Sequence, residues 1–130
     1  MIRRFLNYAV KVDDLEGAAT FHTRHLDARE TSRGEAFGCR YIALESGGVS
    51  VYFFDRAVYE ETLGLNLPHG FLHAVFEVDD FDARVEAFRR AGVEFFFGPT
   101  LVEAAFGKRK IAFFMAPGEV RTEIAQVISG

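Results

Sequence analysis

Few side chains in this sequence could carry chemistry: four histidines and one cysteine, set among nineteen acids. His73 is the most pointed of them. It lies in the alternating stretch GFLHAVFEV, where a strand would put Phe71, His73, Val75 and Glu77 on one face and Ala74, Phe76 and Val78 on the other. An imidazole there is of a type that suits a divalent metal. His69 is four residues earlier, about 13 Å away along a strand, too far to share one metal. His22 and His25 fall in a helical pattern and are assigned no function. Cys39 reads as a small buried hydrophobe; a single cysteine excludes an intrachain disulfide and fits a reducing compartment, with the cytoplasm as the default. Dinucleotide, P-loop and nucleophile-elbow fingerprints are absent.

His73 is positioned by a module that the chain contains twice. YAVKVDDLE (residues 8–16) and AVFEVDDFD (74–82) align with Asp13 over Asp79, which lays Asn7 over His73. In each copy an alternating strand runs into Asp-Asp and then a helical pattern. The first strand sorts Tyr8, Val10 and Val12 to one face and Asn7, Ala9 and Lys11 to the other. Asp13 is expected to cap the first helix, with Glu16 completing the start, and Asp79 and Asp82 to repeat the device. Leu15, Ala18, Ala19, His22 and Leu26 form the first buried stripe; Phe81, Val85, Phe88 and Ala91 form the second.

Three strands follow each helix: about 28–32, 38–45 and 49–54 in the first copy, and 93–97, 108–115 and 120–127 in the second. Gly47-Gly48 and Ala116-Pro117-Gly118-Glu119 supply tight turns. Each half thus reads βαβββ. The first module spans about residues 1–54 and the second about 71–130. The connector, 55–70, carries a short helix before Pro68. With no linker-like segment between them, both modules belong to one domain, 1–130.

The totals narrow the partners. A net charge of −4 argues against nucleic acid or an anionic membrane, and no apolar run is long enough to span a bilayer. The short basic run Gly107-Lys108-Arg109-Lys110 reads as a solvated hairpin tip. Fifteen phenylalanines, against no tryptophan, point to an aromatic-lined cavity as well as a core.

Three stretches together resemble the vicinal oxygen chelate superfamily of glyoxalases, bleomycin-resistance proteins and extradiol dioxygenases. They are NYAVKVDDLEGAATFH, HAVFEVDDFDARVEAFRRAGVEF and GKRKIAFFMAPGEVRTEIAQV, the last standing where that family closes with a hairpin before a Glu-bearing strand. The resemblance implies an α+β fold in which two βαβββ modules form a cup-shaped, eight-stranded, partly closed barrel. It also implies four inward ligand positions, two on the first strands and two on the fourth, which here fall on Asn7, His73, Tyr52 and Glu123.

His73 and Glu123 are good metal-ligand types. Asn7 is a neutral and weak third, and the Tyr52 phenol is protonated at neutral pH. The expected state is a degenerate site, with no cofactor or with a loosely held divalent metal (Zn, Fe, Mn or Ni). Arg121 shares the face of Glu123 by parity, and three roles stay open for it: pairing with that carboxylate, anchoring a ligand, or reaching solvent. Tyr52, Phe54 and Phe71 are the aromatic residues expected to line the cup; between Phe113 and Phe114 parity does not choose.

The eroded ligand set and the phenylalanine excess favour binding of a hydrophobic or aromatic small molecule by Asn7, Tyr52, Phe54, Phe71, His73, Arg121 and Glu123. The alternative is a divalent-metal enzyme of isomerase, lyase, epimerase or dioxygenase type, resting on His73 and Glu123. Metal-free acid–base catalysis, with Glu123 and Tyr52 as catalytic candidates and Arg121 beside them, is a third possibility. The family resemblance further implies a homodimer.

Overall fold

Alternation on the first strand sets the plan of the molecule. In the computed structural model, which describes all 130 residues, β1 runs Arg4–Lys11. Asn7, Ala9 and Lys11 are buried on one face of it, while Tyr8 and Val10 pack half-buried on the other. The chain continues through α1 (Leu15–His25), β2 (Arg29–Ala36), β3 (Cys39–Ser46) and β4 (Val49–Phe54). After the short α2 (Glu60–Leu63), the second module repeats the order as β5 (Gly70–Glu77), α3 (Phe81–Arg90), β6 (Phe95–Ala104), β7 (Gly107–Ala116) and β8 (Val120–Ser129). No helix is long and apolar enough to cross a membrane.

The eight strands make one sheet in the order β2-β3-β4-β1-β5-β8-β7-β6. Within each module the first and fourth strands pair in parallel, β1 with β4 and β5 with β8. The two first strands meet antiparallel at the centre, so an approximate two-fold relates the halves. The sheet curls until its ends approach. A Cβ on Gly34 of β2 would stand 3.3 Å from that of Ala105, next to β6. Phe37 packs edge-on against Phe97 at 5.3 Å. The Tyr41 hydroxyl receives the Phe106 amide at 3.1 Å and bonds Ser32 Oγ at 2.7 Å. The predicted eight-stranded, partly closed cup is the observed fold.

Period-2 alternation then sorts the aromatics, since neighbours on a strand face opposite sides. Tyr52 and Phe54 face the cup interior, whereas Val51 and Phe53 pack under α1 with Leu15 and Ala19. On β7, Ile111 and Phe113 face inward, and Ala112 and Phe114 lie toward α3 with Phe81, Val85 and Phe88. That settles the choice between Phe113 and Phe114.

Several local expectations are corrected. The cap of α1 is Asp14, whose carboxylate accepts the Gly17 amide at 3.0 Å; β1 stops at Lys11, so Asp13 falls one residue short of the helix entry. Asp80 occupies the same place before α3 without a side-chain cap, and the Phe81 amide donates to Gln126 Oε1 of β8 instead. Leu26 and Ala91 lie beyond the helix ends and are exposed. The strands β2 and β6 are longer than expected, extending to Ala36 and Ala104.

The connector is fastened to the cup by a buried ion pair that the sequence pattern did not announce. Lys11 Nζ donates to Glu60 Oε1 at 2.8 Å, to Leu67 O at 2.7 Å and to Asn66 Oδ1 at 3.3 Å. Glu60 Oε1 also accepts the Leu67 amide at 2.8 Å. Three protons thus meet three acceptors, the condition under which a buried charge is tolerated.

Candidate functional site

Strand register brings the four implied ligand positions together. Ala9 on β1 pairs with Tyr52 on one side and His73 on the other; Val75 on β5 pairs with Asn7 on one side and Glu123 on the other. The four side chains therefore stand at the corners of a patch whose middle is Ala9 and Val75, both fully buried. Asn7, Tyr52, His73 and Glu123 all line one cavity of about 40 Å³, whose lining also includes the exposed Phe37. Ten of its fourteen lining residues are hydrophobic, among them Phe54, Val58, Phe106 and Phe113.

His73 and Glu123 are in contact: Nε2 lies 3.2 Å from Oε1. The other ring nitrogen, Nδ1, lies 3.0 Å from the Tyr59 hydroxyl. A carboxylate oxygen only accepts, so electrostatics favours the neutral tautomer with its proton on Nε2, although the contact lacks hydrogen-bond alignment. In the neutral imidazole Nδ1 is then the acceptor, and Tyr59 donates to it. Burial pushes the Tyr59 phenol well above the ordinary tyrosine value, against the opposing pull of the Arg121 guanidinium, so the proton it donates is firmly held. Tyr59 was not foreseen. It lies in the connector, where no strand parity applies.

Two expected members of the site are elsewhere. Phe71 is 57% exposed and does not line the cavity. The reason is a bulge: Ala9 pairs with His73 but Val10 pairs with Phe71, which leaves Leu72 as the extra residue. A bulge breaks the alternation, so Leu72, not Phe71, turns inward and is 1% exposed. Arg121 does not pair with Glu123. Its Nε donates to Leu72 O at 2.9 Å, beside Tyr59 and outside the cavity lining.

The cation inside the cup is Arg109, from the run expected to be a solvated tip. Lys108 and Lys110 do behave that way, pairing with Glu103 at 3.8 Å and Asp82 at 3.0 Å. Arg109 alternates with them and points inward with Ile111 and Phe113. Its Nη2 donates to the Tyr52 hydroxyl at 3.0 Å. The guanidinium carbon sits 4.4 Å from the centroid of Phe106 and 5.5 Å from that of Tyr52, a favourable cation–π placement. Burial raises the Tyr52 phenol above its ordinary value, with Arg109 opposing the shift. Two polar atoms are buried without any partner: Arg109 Nε and Asn7 Oδ1.

The donor set does not fit a resident catalytic metal. His73 and Glu123 are the only strong ligand types present, with Nε2 3.2 Å from Oε1 and Nδ1 taken up by Tyr59. Tyr52 is protonated and bonded to a cation. Asn7 offers one neutral oxygen, and no group of three or more His, Cys, Asp or Glu side chains converges anywhere in the chain. Catalytic zinc by contrast takes three protein ligands and an open position.

A fold of two βαβββ modules around one cup, with paired positions on first and fourth strands, defines a class, and the sequence matches it. Residues 4–124 fit the family model of the Glyoxalase/Bleomycin resistance protein/Dioxygenase superfamily, and the chain belongs to that family. No curated protein is a significant match to the sequence. Among solved structures, methylmalonyl-CoA epimerase from Mycobacterium tuberculosis is similar at a TM-score of 0.80 and 19% identity, over 98% of this chain and 90% of that one. A Streptomyces coelicolor methylmalonyl-CoA epimerase variant in complex with 2-nitronate-propionyl-CoA is similar at 0.74 and 21%, over 99% and 100%. A hypothetical protein from Bacillus halodurans C-125 is similar at 0.75 and 16%, over 98% and 96%. At these identities the likeness is one of fold.

Proposed function

We propose that the cup is a small-molecule binding site that works without a resident metal. The observation that carries this reading is the pair of orphaned atoms, Arg109 Nε and Asn7 Oδ1, buried on residues that line a mostly apolar cavity. A buried polar group without a partner costs about 1–3 kcal/mol, more for a charged one, and a ligand supplying the missing partners recovers that cost. The apolar walls favour a hydrophobic or aromatic body, and Phe54, Phe106 and Phe113 are the faces it would meet. About 40 Å³ holds a polar head and little else, so the body lies in the mouth, beside Phe37, which is 42% exposed. Tyr52, Asn7, His73 and Glu123 serve this reading as polar contacts, the last two already in contact with each other. Self-association as a homodimer belongs to the same proposal and is read by sedimentation.

The test is binding under chelation. Aromatic small molecules are titrated into protein held in excess EDTA, with the ring signals of Tyr52 and Phe113 followed by NMR. Saturable shifts confined to the cup are expected. Shifts that appear only on adding a divalent metal would give the site to metal chemistry instead.

A further inference from the structure

We infer that Arg109 makes the interior of the cup an acid-binding subsite, so that the ligand is a small organic carboxylate with an apolar body. This rests on the cup being a ligand site at all, and it adds the chemical class of the ligand.

Charge bookkeeping along β7 leads there. Three consecutive cations, Lys108, Arg109 and Lys110, emerge from the hairpin, and the two outward ones find carboxylates. The inward one finds only a phenol: Tyr52 takes Nη2, two aromatic rings flank the guanidinium, and Nε is left buried and bare. A carboxylate does line the same cavity, but Glu123 is engaged by His73 and forms no ion pair with Arg109. The protein thus holds a cation and an anion in one small space without joining them. The cation lacks an anionic acceptor, and its Nε has no hydrogen-bond partner from the protein.

A guanidinium already stacked on an aromatic ring has its edge free for planar, two-point hydrogen bonding, the geometry that a carboxylate matches. The rings of Phe106 and Tyr52 have removed water from its faces, which strengthens an in-plane ionic contact. The apolar walls beyond it suit a hydrocarbon or arene rather than a second charged group. Glu123, on the far side of the patch, opposes a ligand that is anionic at both ends. The subsite therefore selects monoacids.

The experiment compares phenylacetate with 2-phenylethanol, which share an arene and a two-carbon arm but differ in charge, by calorimetry and NMR in excess EDTA. A charge-assisted contact of this kind predicts an affinity at least about tenfold higher for the acid. Arg109→Gln should erase that difference, so that acid and alcohol bind the variant with equal affinity. Arg109→Lys, which keeps the cation and serves if the Gln variant does not fold, should retain part of it. Equal affinities for acid and alcohol, both mapping to Tyr52 and Phe113, would overturn the acid subsite and leave the cup a binding site. Absence of both probes from the cup would overturn both readings. An acid preference that survives Arg109→Gln would move the anion contact to another residue and refute the assignment.

Discussion

Replacing Lys11 with methionine separates the ion pair that holds the connector. The Lys11 and Glu60 side chains are only 8% and 5% exposed, so water cannot take over the lost contacts. Methionine keeps the apolar stem but leaves the Glu60 carboxylate buried with a single donor, the Leu67 amide. Removing one partner of such a pair costs about 3–5 kcal/mol, against 0–1 kcal/mol for an exposed pair. For a chain of this size that lowers Tm by roughly 10–20 °C. Adding Glu60→Gln to Lys11→Met should restore most of the loss, because the amide oxygen still accepts the Leu67 N–H and no bare charge remains. Urea unfolding of the wild type and of the single and double variants, fitted as two-state with a common m-value, measures the cycle. A loss below about 1 kcal/mol for Lys11→Met would show the pair to be effectively solvated. A double variant less stable than Lys11→Met would show that uncompensated charge is not the source of the cost. Either result refutes the reasoning.

Other expectations follow from the same geometry. Tyr59→Phe should cost about 1 kcal/mol and release the His73 ring from its single tautomer, seen as a change in its nitrogen shifts; an unchanged tautomer would deny Tyr59 its orienting role. Because burial raises the Tyr52 and Tyr59 phenols above the ordinary value near 10, their stabilising contribution is complete below that pH and is lost as pH climbs through the folded values. Difference spectra of Tyr52→Phe and Tyr59→Phe against the wild type should place both phenolates above pH 10, and titration at or below 10 would contradict the burial. Asp14→Ala should destabilise by about 1 kcal/mol in urea, and Asp13→Ala by only a few tenths; equal losses would put the cap elsewhere.

Much of this was legible because strands and repeats obey simple rules. The doubled module made Asn7 and His73 equivalent positions, and the observed register sets Tyr52 and Glu123 at equivalent places on their fourth strands. Phe71 was misplaced because alternation carries no warning of a bulge; the extra residue, Leu72, exchanges faces with it. Arg109 was hidden by composition, since a run of cations between a turn and a strand normally points to solvent. Its signal was the spacing Arg109, Ile111, Phe113, which becomes readable only once Phe113 and not Phe114 is known to face inward. Tyr59 left no trace at all. Its place depends on the connector folding against β1 through Lys11 and Glu60, a contact between segments 49 residues apart.

The central claim is that His73 and Glu123 serve each other and not a metal. It is tested most directly by metal analysis of untagged protein after equilibration with equimolar zinc, iron, manganese or nickel and gel filtration. Well under one equivalent per chain is predicted for every metal, and His73→Ala should leave that residue of binding unchanged. One tightly held equivalent per chain, lost on changing His73 or Glu123, would contradict the account.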